Sequence, residues 1–124
     1  MNEALTYDDV LLVPQYSDIV SRAEVNIGND LDDCTRLDLP IISSPMDTIT
    51  EWEMAAIMSK IGGLGIIHRY NNPHDQAKLV ERVFESLEED DRKCVGAAIG
   101  INGNYLERAA LLIDVGVEVI CIDV

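Results

Sequence analysis

The stretch LPIISSPMDTITEWEMAAIMSKIGGLGIIHRYNN, residues 39–72, decides how the chain is read. Pro40, Ile41 and Ile42 form a short apolar run, and Leu64, Gly65, Ile66 and Ile67 form another. Such runs suit parallel strands covered on both faces. Between them Met54, Ile57, Met58 and Ile61 recur at helical spacing, which predicts a helix with those four side chains inward. Thr48 with Glu51 and Thr50 with Glu53 both fit a capping box at its start, and Gly62 fits its stop. The segment is one βαβ unit. Ligands of such units gather at the carboxyl ends of the strands, so residues 43–50 and 68–72 are where chemistry is expected.

The same rhythm continues. Asn72 and Pro73 supply an N-cap and a proline at the first helical position, and Ala77, Val80, Phe84 and Leu87 mark an inner helical face. Residues 88–91 are four consecutive acids, read as a solvated turn because neighbouring carboxylates in a turn do not converge on a metal. Residues 94–100 (CVGAAIG) predict a third strand, in which Gly96, Ala97 and Ala98 leave space in the interior or for close approach of a ligand. A third helix opens at residues 102–104, turns Leu106, Ala109, Ala110 and Ile113 inward, and stops at Gly116. Residues 117–124 (VEVICIDV) predict a fourth buried strand with Asp123 at its polar tip.

The expected fold is α/β: the N-terminal half of a (β/α)8 TIM barrel, with about four parallel strands and three helices over residues 39–124. Residues 1–38 do not repeat the pattern and predict an extended N-terminal arm and barrel-capping segment. Within it, residues 10–14 stop at a proline, as an edge strand or arm would, and residues 26–38 suggest a short strand or loop over one barrel end. A complete barrel needs about 200 residues or more. The 124-residue chain is therefore expected to be a fragment, or to be completed by a second polypeptide.

Composition narrows the functions. A net charge of −14 disfavours nucleic acid, whose phosphates need a basic face. Three cysteines without regular spacing predict neither a disulfide framework nor a metal site. Cys94 and Cys121 fall in apolar strands, Cys34 among carboxylates, and none has the setting of a nucleophile. No signal peptide, lipidation motif or membrane-spanning run is present, so a cytoplasmic location is expected, with no membrane partner.

Residues 5–14 (LTYDDVLLVP), 43–51 (SSPMDTITE), 62–71 (GGLGIIHRYN) and 95–100 (VGAAIG), with Ile122 and Asp123, together resemble the IMP dehydrogenase/GMP reductase family. The resemblance runs in order over nearly the whole chain, and SSPMDT after a strand is its most specific part. It implies a (β/α)8 barrel, usually tetrameric, that binds a purine nucleotide (IMP or GMP) and NAD or NADP over the strand carboxyl ends. It favours IMP dehydrogenase, which oxidises IMP to XMP with NAD. The alternative is GMP reductase, which converts GMP to IMP and ammonia with NADPH, and a further alternative is a non-catalytic half-barrel that assembles with a separate C-terminal half. Both enzymes work through a thioimidate on a cysteine expected downstream of residue 124. The phosphate-binding loops, and any K+ site, are expected there too, so this chain alone would carry no nucleophile and be inactive.

By that resemblance Ser44 and Met46 are nucleotide-binding, and Arg69, Asp123, Ser21, Arg22 and His68 are cofactor-binding. The residue chemistry agrees: a hydroxyl can hold ribose or phosphate, a thioether can lie on a flat base, and guanidinium suits phosphate. Blander readings stay open, namely a core methionine for Met46, a helix-side salt bridge for Arg69, a solvated arm for Arg22 and a satisfied strand-end histidine for His68. Asp47 and Thr50 read as loop-fixing residues. Dehydrogenases commonly carry a CBS pair after the second helix. Only residues 88–93 stand at that point here, so no inserted pair is expected.

Overall fold

The computed structural model describes residues 3–91 and 94–124. Arg92 and Lys93, the end of the short connection expected to replace an inserted domain, lie outside the described residues, as do Met1 and Asn2. Four strands form one parallel sheet: β3 (Ile42–Ser43), β4 (Leu64–Ile67), β5 (Val95–Ile99) and β6 (Val119–Ile122), hydrogen-bonded in chain order. Helices α1 (Trp52–Lys60), α2 (Pro73–Ser86) and α3 (Tyr105–Asp114) make the crossovers. An α/β chain with four neighbouring parallel strands in sequence order is a partial TIM barrel. Before it, β1 (Asn29–Asp30) and β2 (Arg36–Leu37) form an antiparallel hairpin.

Strand alternation sorts the core onto two faces. Ile67, Val95, Ala97 and Ile99 pack with Ala55, Ala56, Val80, Val83 and Leu112 of the helices. Leu64, Ile66, Cys94 and Ala98 face the other way, where Leu37 of β2 covers them. Leu37 thereby closes the amino-terminal end of the sheet, leaving the carboxyl end open. Residues 3–27 are exposed throughout, with two short 3-10 turns, Tyr7–Asp9 and Arg22–Glu24, and residues 10–14 are extended but pair with no described strand.

Two helical faces differ from their expected orientation. In α1 the buried side chains are Ala55, Ala56, Met58 and Ser59, while Met54, Ile57 and Ile61 are exposed. The reason is the approach of the helix to β4: a Cβ on Gly65 would lie 2.5 Å from the Ala55 Cα, so the point of closest contact has room only for a glycine against an alanine. In α3 the inner positions are Arg108 and Leu112, with Ala109 partly buried, while Leu106, Ala110 and Ile113 face outward. Apolar spacing marks that outward stripe as well as an inner one, which is why the pattern misled.

The expected capping boxes are also absent. Glu51, not Thr50, stands at the α1 N-cap and makes no side-chain cap, and the Thr50 hydroxyl is engaged by the Ser44 carbonyl. Asn72 does cap α2, its side chain accepting from the Asp75 N–H at 2.9 Å. Gly62 (φ +82°) and Gly116 (φ +93°) end α1 and α3 in the left-handed region that favours glycine. β3 is shorter than expected, and β3 and β6 are partly exposed edge strands rather than buried ones, Ile122 being 63% accessible. The space left by Gly96 is taken by Ile66, whose Cγ1 lies 3.1 Å from where a Cβ would stand.

Candidate functional site

Because β3 to β6 are parallel and in register, the residues following each strand emerge at one end of the sheet: Ser44, His68 and Arg69, Gly100, and Asp123. Asp123 is held there by its own N–H, which donates to the Ile99 carbonyl at 2.9 Å and extends the β5–β6 ladder. Arg69 Nε donates to Asp123 Oδ2 at 3.0 Å, both side chains about one-third exposed. The pair passes over Gly100, where a Cβ would stand in ordinary contact with the guanidinium, its nearest atom 3.6 Å away. Arg69, Gly100, Ile101, Asn102, Asp123 and Val124 line a concavity of about 320 Å³. The Arg69 guanidinium also lies 5.6 Å from the Tyr70 ring centre, within cation–π range.

The loop after β3 is fixed by Thr50, which is fully buried. Its hydroxyl lies 2.6 Å from the Ser44 carbonyl and 2.9 Å from Ser43 Oγ. One proton cannot serve both, so the shorter contact takes it and the Ser43 hydroxyl donates to Thr50. The Ile49 and Thr50 N–H groups both donate to the Met46 carbonyl. This leaves Ser44 and Met46 exposed at the loop surface, Met46 at 47%, so it is not a core methionine.

His68 is 4% exposed and uses both ring nitrogens. Nδ1 accepts from the Tyr70 N–H at 3.1 Å, so the neutral ring carries its proton on Nε2, 3.4 Å from Glu51 Oε1. His68 thus ties the end of β4 to the start of α1. Ser21 and Arg22 are not brought to this end by any described interaction: Ser21 Oγ accepts from Ala23 N–H, and Arg22 makes no ion pair among the described residues. Among the described residues, no group of three or more acids, histidines and cysteines could hold a metal ion.

Sequence reasoning missed a polar group beneath the loop. Arg108 of α3 donates to Gln76 Oε1 at 2.7 Å, to Asn71 Oδ1 at 3.3 Å and to the Asn71 carbonyl at 2.6 Å. Burial, and then the nearby Arg69 charge, push the Arg108 guanidinium down from its ordinary value. The Cys121 thiol is pushed up by burial and by Asp123, which keeps it protonated and unreactive. The only signal of Arg108 in sequence was a charge between apolar positions, which ordinarily marks a solvated face.

A family profile described as IMP dehydrogenase / GMP reductase domain matches residues 4–124. The chain is similar to an inosine-5'-monophosphate dehydrogenase of Nitrosopumilus maritimus, 46% identical over 84 residues that span 68% of this chain and 18% of the relative. A Cryptosporidium parvum protein of the same name is 34% identical over 161 residues, 99% of this chain and 40% of the relative. One from Staphylococcus saprophyticus is 46% identical over 84 residues, 68% of this chain and 17% of the relative. The chain spans less than half the length of these relatives.

Proposed function

Because the chain belongs to the IMP dehydrogenase/GMP reductase family, we propose that it is part of an IMP dehydrogenase, which oxidises IMP to XMP with NAD. The observation that carries this reading is the convergence of Ser44, Arg69 and Asp123 on one end of a parallel sheet, where nucleotides bind in such folds. In it, Ser44 and Met46 contact the purine nucleotide, the hydroxyl on ribose or phosphate and the thioether against the base. Arg69 and Asp123 form one wall of the dinucleotide site, with His68 bracing the loop behind them. Arg22 and Ser21 reach a cofactor only from the surface arm, which suits a site shared between subunits of a homotetramer.

The residues present fit a nicotinamide dinucleotide. Asp123 can accept hydrogen bonds from hydroxyl or carboxamide groups, Arg69 donates, and Gly100 lets a flat group lie on bare backbone. When bound, the cofactor takes up the hydride; this chain's residues bind and orient it and supply no nucleophile. The two partly exposed edges, β3 and β6, with Ile42 and Ile122 outward, are read as seats for the remaining β/α units of the barrel. We assign the barrel half to residues 39–124, the capping arm to residues 1–38, and place the enzyme in the cytoplasm; no described helix is long and apolar enough to cross a membrane.

The test is product analysis on the full-length protein. NADH and XMP formed from IMP and NAD support the proposal. Ammonia released from GMP with NADPH, without oxidation of IMP, overturns it in favour of GMP reductase. Neither reaction, in a chain that becomes ordered only with a separate C-terminal half, would favour the assembly role.

A further inference from the structure

The loop that carries Arg69 rests on an unusual support. Arg108 is only 9% exposed, yet every acceptor it reaches is neutral: the Gln76 side-chain oxygen and both oxygens of Asn71. No carboxylate pairs with it among the described residues. Gln76, itself fully buried, donates its amide to the Ala98 carbonyl at 2.9 Å and the Ile67 carbonyl at 3.3 Å. It thereby clasps the ends of β4 and β5 on one side and orients Arg108 on the other.

A buried cation without a counter-ion opposes stability, and an apolar side chain would fill the same position without that penalty. What a guanidinium supplies instead is a rigid fork of donors. Here the fork fixes Asn71 by side chain and main chain together, two residues beyond Arg69. The Arg108 charge also repels Arg69, and Asp123 stands as the acceptor for Arg69 across β5.

We propose that Arg108 is a positioning residue which, with Gln76 as its relay, locks the 68–72 loop so that Arg69 and Asp123 are presented together to the dinucleotide. This rests on the functional reading above.

The experiment compares Arg108→Met, Arg108→Lys and Asn71→Ala in the full-length protein, measuring equilibrium binding of NAD and of IMP separately, with amide hydrogen exchange over residues 69–72. Arg108→Met is expected to weaken NAD binding roughly 10-fold or more, as losses of orienting partners do, while IMP affinity changes less than about 2-fold. Arg108→Lys, which keeps the charge but not the fork, is expected to fall between, and Asn71→Ala to weaken NAD binding no more than Arg108→Met. All three should exchange faster at residues 69–72. A lowered melting temperature with both affinities unchanged, or changed equally, would overturn the proposal. If Arg108→Met does not fold, Arg108→Lys and Asn71→Ala decide it. If the wild type binds no NAD, the functional reading fails; unchanged exchange at 69–72 in the two milder variants overturns the positioning role by itself.

Discussion

Arg69 and Asp123 are 54 residues apart in sequence, yet Nε of one lies 3.0 Å from Oδ2 of the other across the carboxyl end of β5. The contact joins the first and third strands of the β4–β5–β6 group and closes one side of a concavity on the open end of the sheet. Both groups are about one-third exposed, so the pair itself adds little to stability, about 0–1 kcal/mol. Its position matters more than its strength.

Asp123→Asn therefore separates the two roles. The melting temperature should stay near the wild-type value, while NAD affinity should drop by about 10-fold, the loss of one charge-assisted hydrogen bond of roughly 1.5 kcal/mol. Calorimetric titration and a thermal melt on the same preparation check this.

Thr50→Val keeps the shape of the side chain and removes the hydroxyl that binds the Ser44 carbonyl and meets Ser43. The Ser44 carbonyl would lose its buried donor, and the expected destabilisation is about 1–3 kcal/mol. Because the same bonds shape the loop that carries Ser44 and Met46, IMP binding should weaken more than NAD binding. Denaturant titration and separate ligand titrations test both parts.

Gly65→Ala probes the packing of α1 on β4. The new Cβ would meet the Ala55 Cα at 2.5 Å, and that atom is backbone, which cannot swing aside. Overpacking of this kind costs about 1–3 kcal/mol, read as a lower denaturation midpoint with an unchanged slope. A variant as stable as the wild type would mean that α1 does not sit this close.

The N-terminus of α2 carries an acid-sensitive contact. The Asp75 carboxyl is held below its ordinary value chiefly by the Lys78 side chain, and then by Asn72. A depressed folded-state value means that its contribution is present above the ordinary aspartate range of about 3.9, and is lost as pH falls below it. Asp75→Asn should therefore be less stable than the wild type at neutral pH, and the difference should vanish on acidification through that range. Paired thermal melts across pH measure it.

The fold was legible because four apolar runs, each followed by a polar tip, were separated by helix signals with glycine stops at Gly62 and Gly116. The strand ends were legible for the same reason: once the strands are parallel, Ser44, Arg69 and Asp123 must emerge together. Helical faces were less so. Met54, Ile57 and Ile61 have the right spacing for a core, but the close approach over Gly65 turns Ala55 inward, with Ala56, Met58 and Ser59 also buried, and spacing carries no information about gap width. Arg108 was invisible for a different reason. Its partners, Gln76 and Asn71, lie 32 and 37 residues away, and no local pattern marks a charge that is buried against neutral acceptors.

The central claim is that the carboxyl ends of β3 to β6 form part of a nucleotide and dinucleotide pocket. A crystal structure of the full-length protein soaked with IMP and NAD tests it most directly. The account predicts dinucleotide density within hydrogen-bonding distance of Asp123 and Arg69, with the purine nucleotide beside Ser44 and Met46. Density at the amino-terminal end of the sheet, against Leu37 and the β1–β2 hairpin, would contradict it.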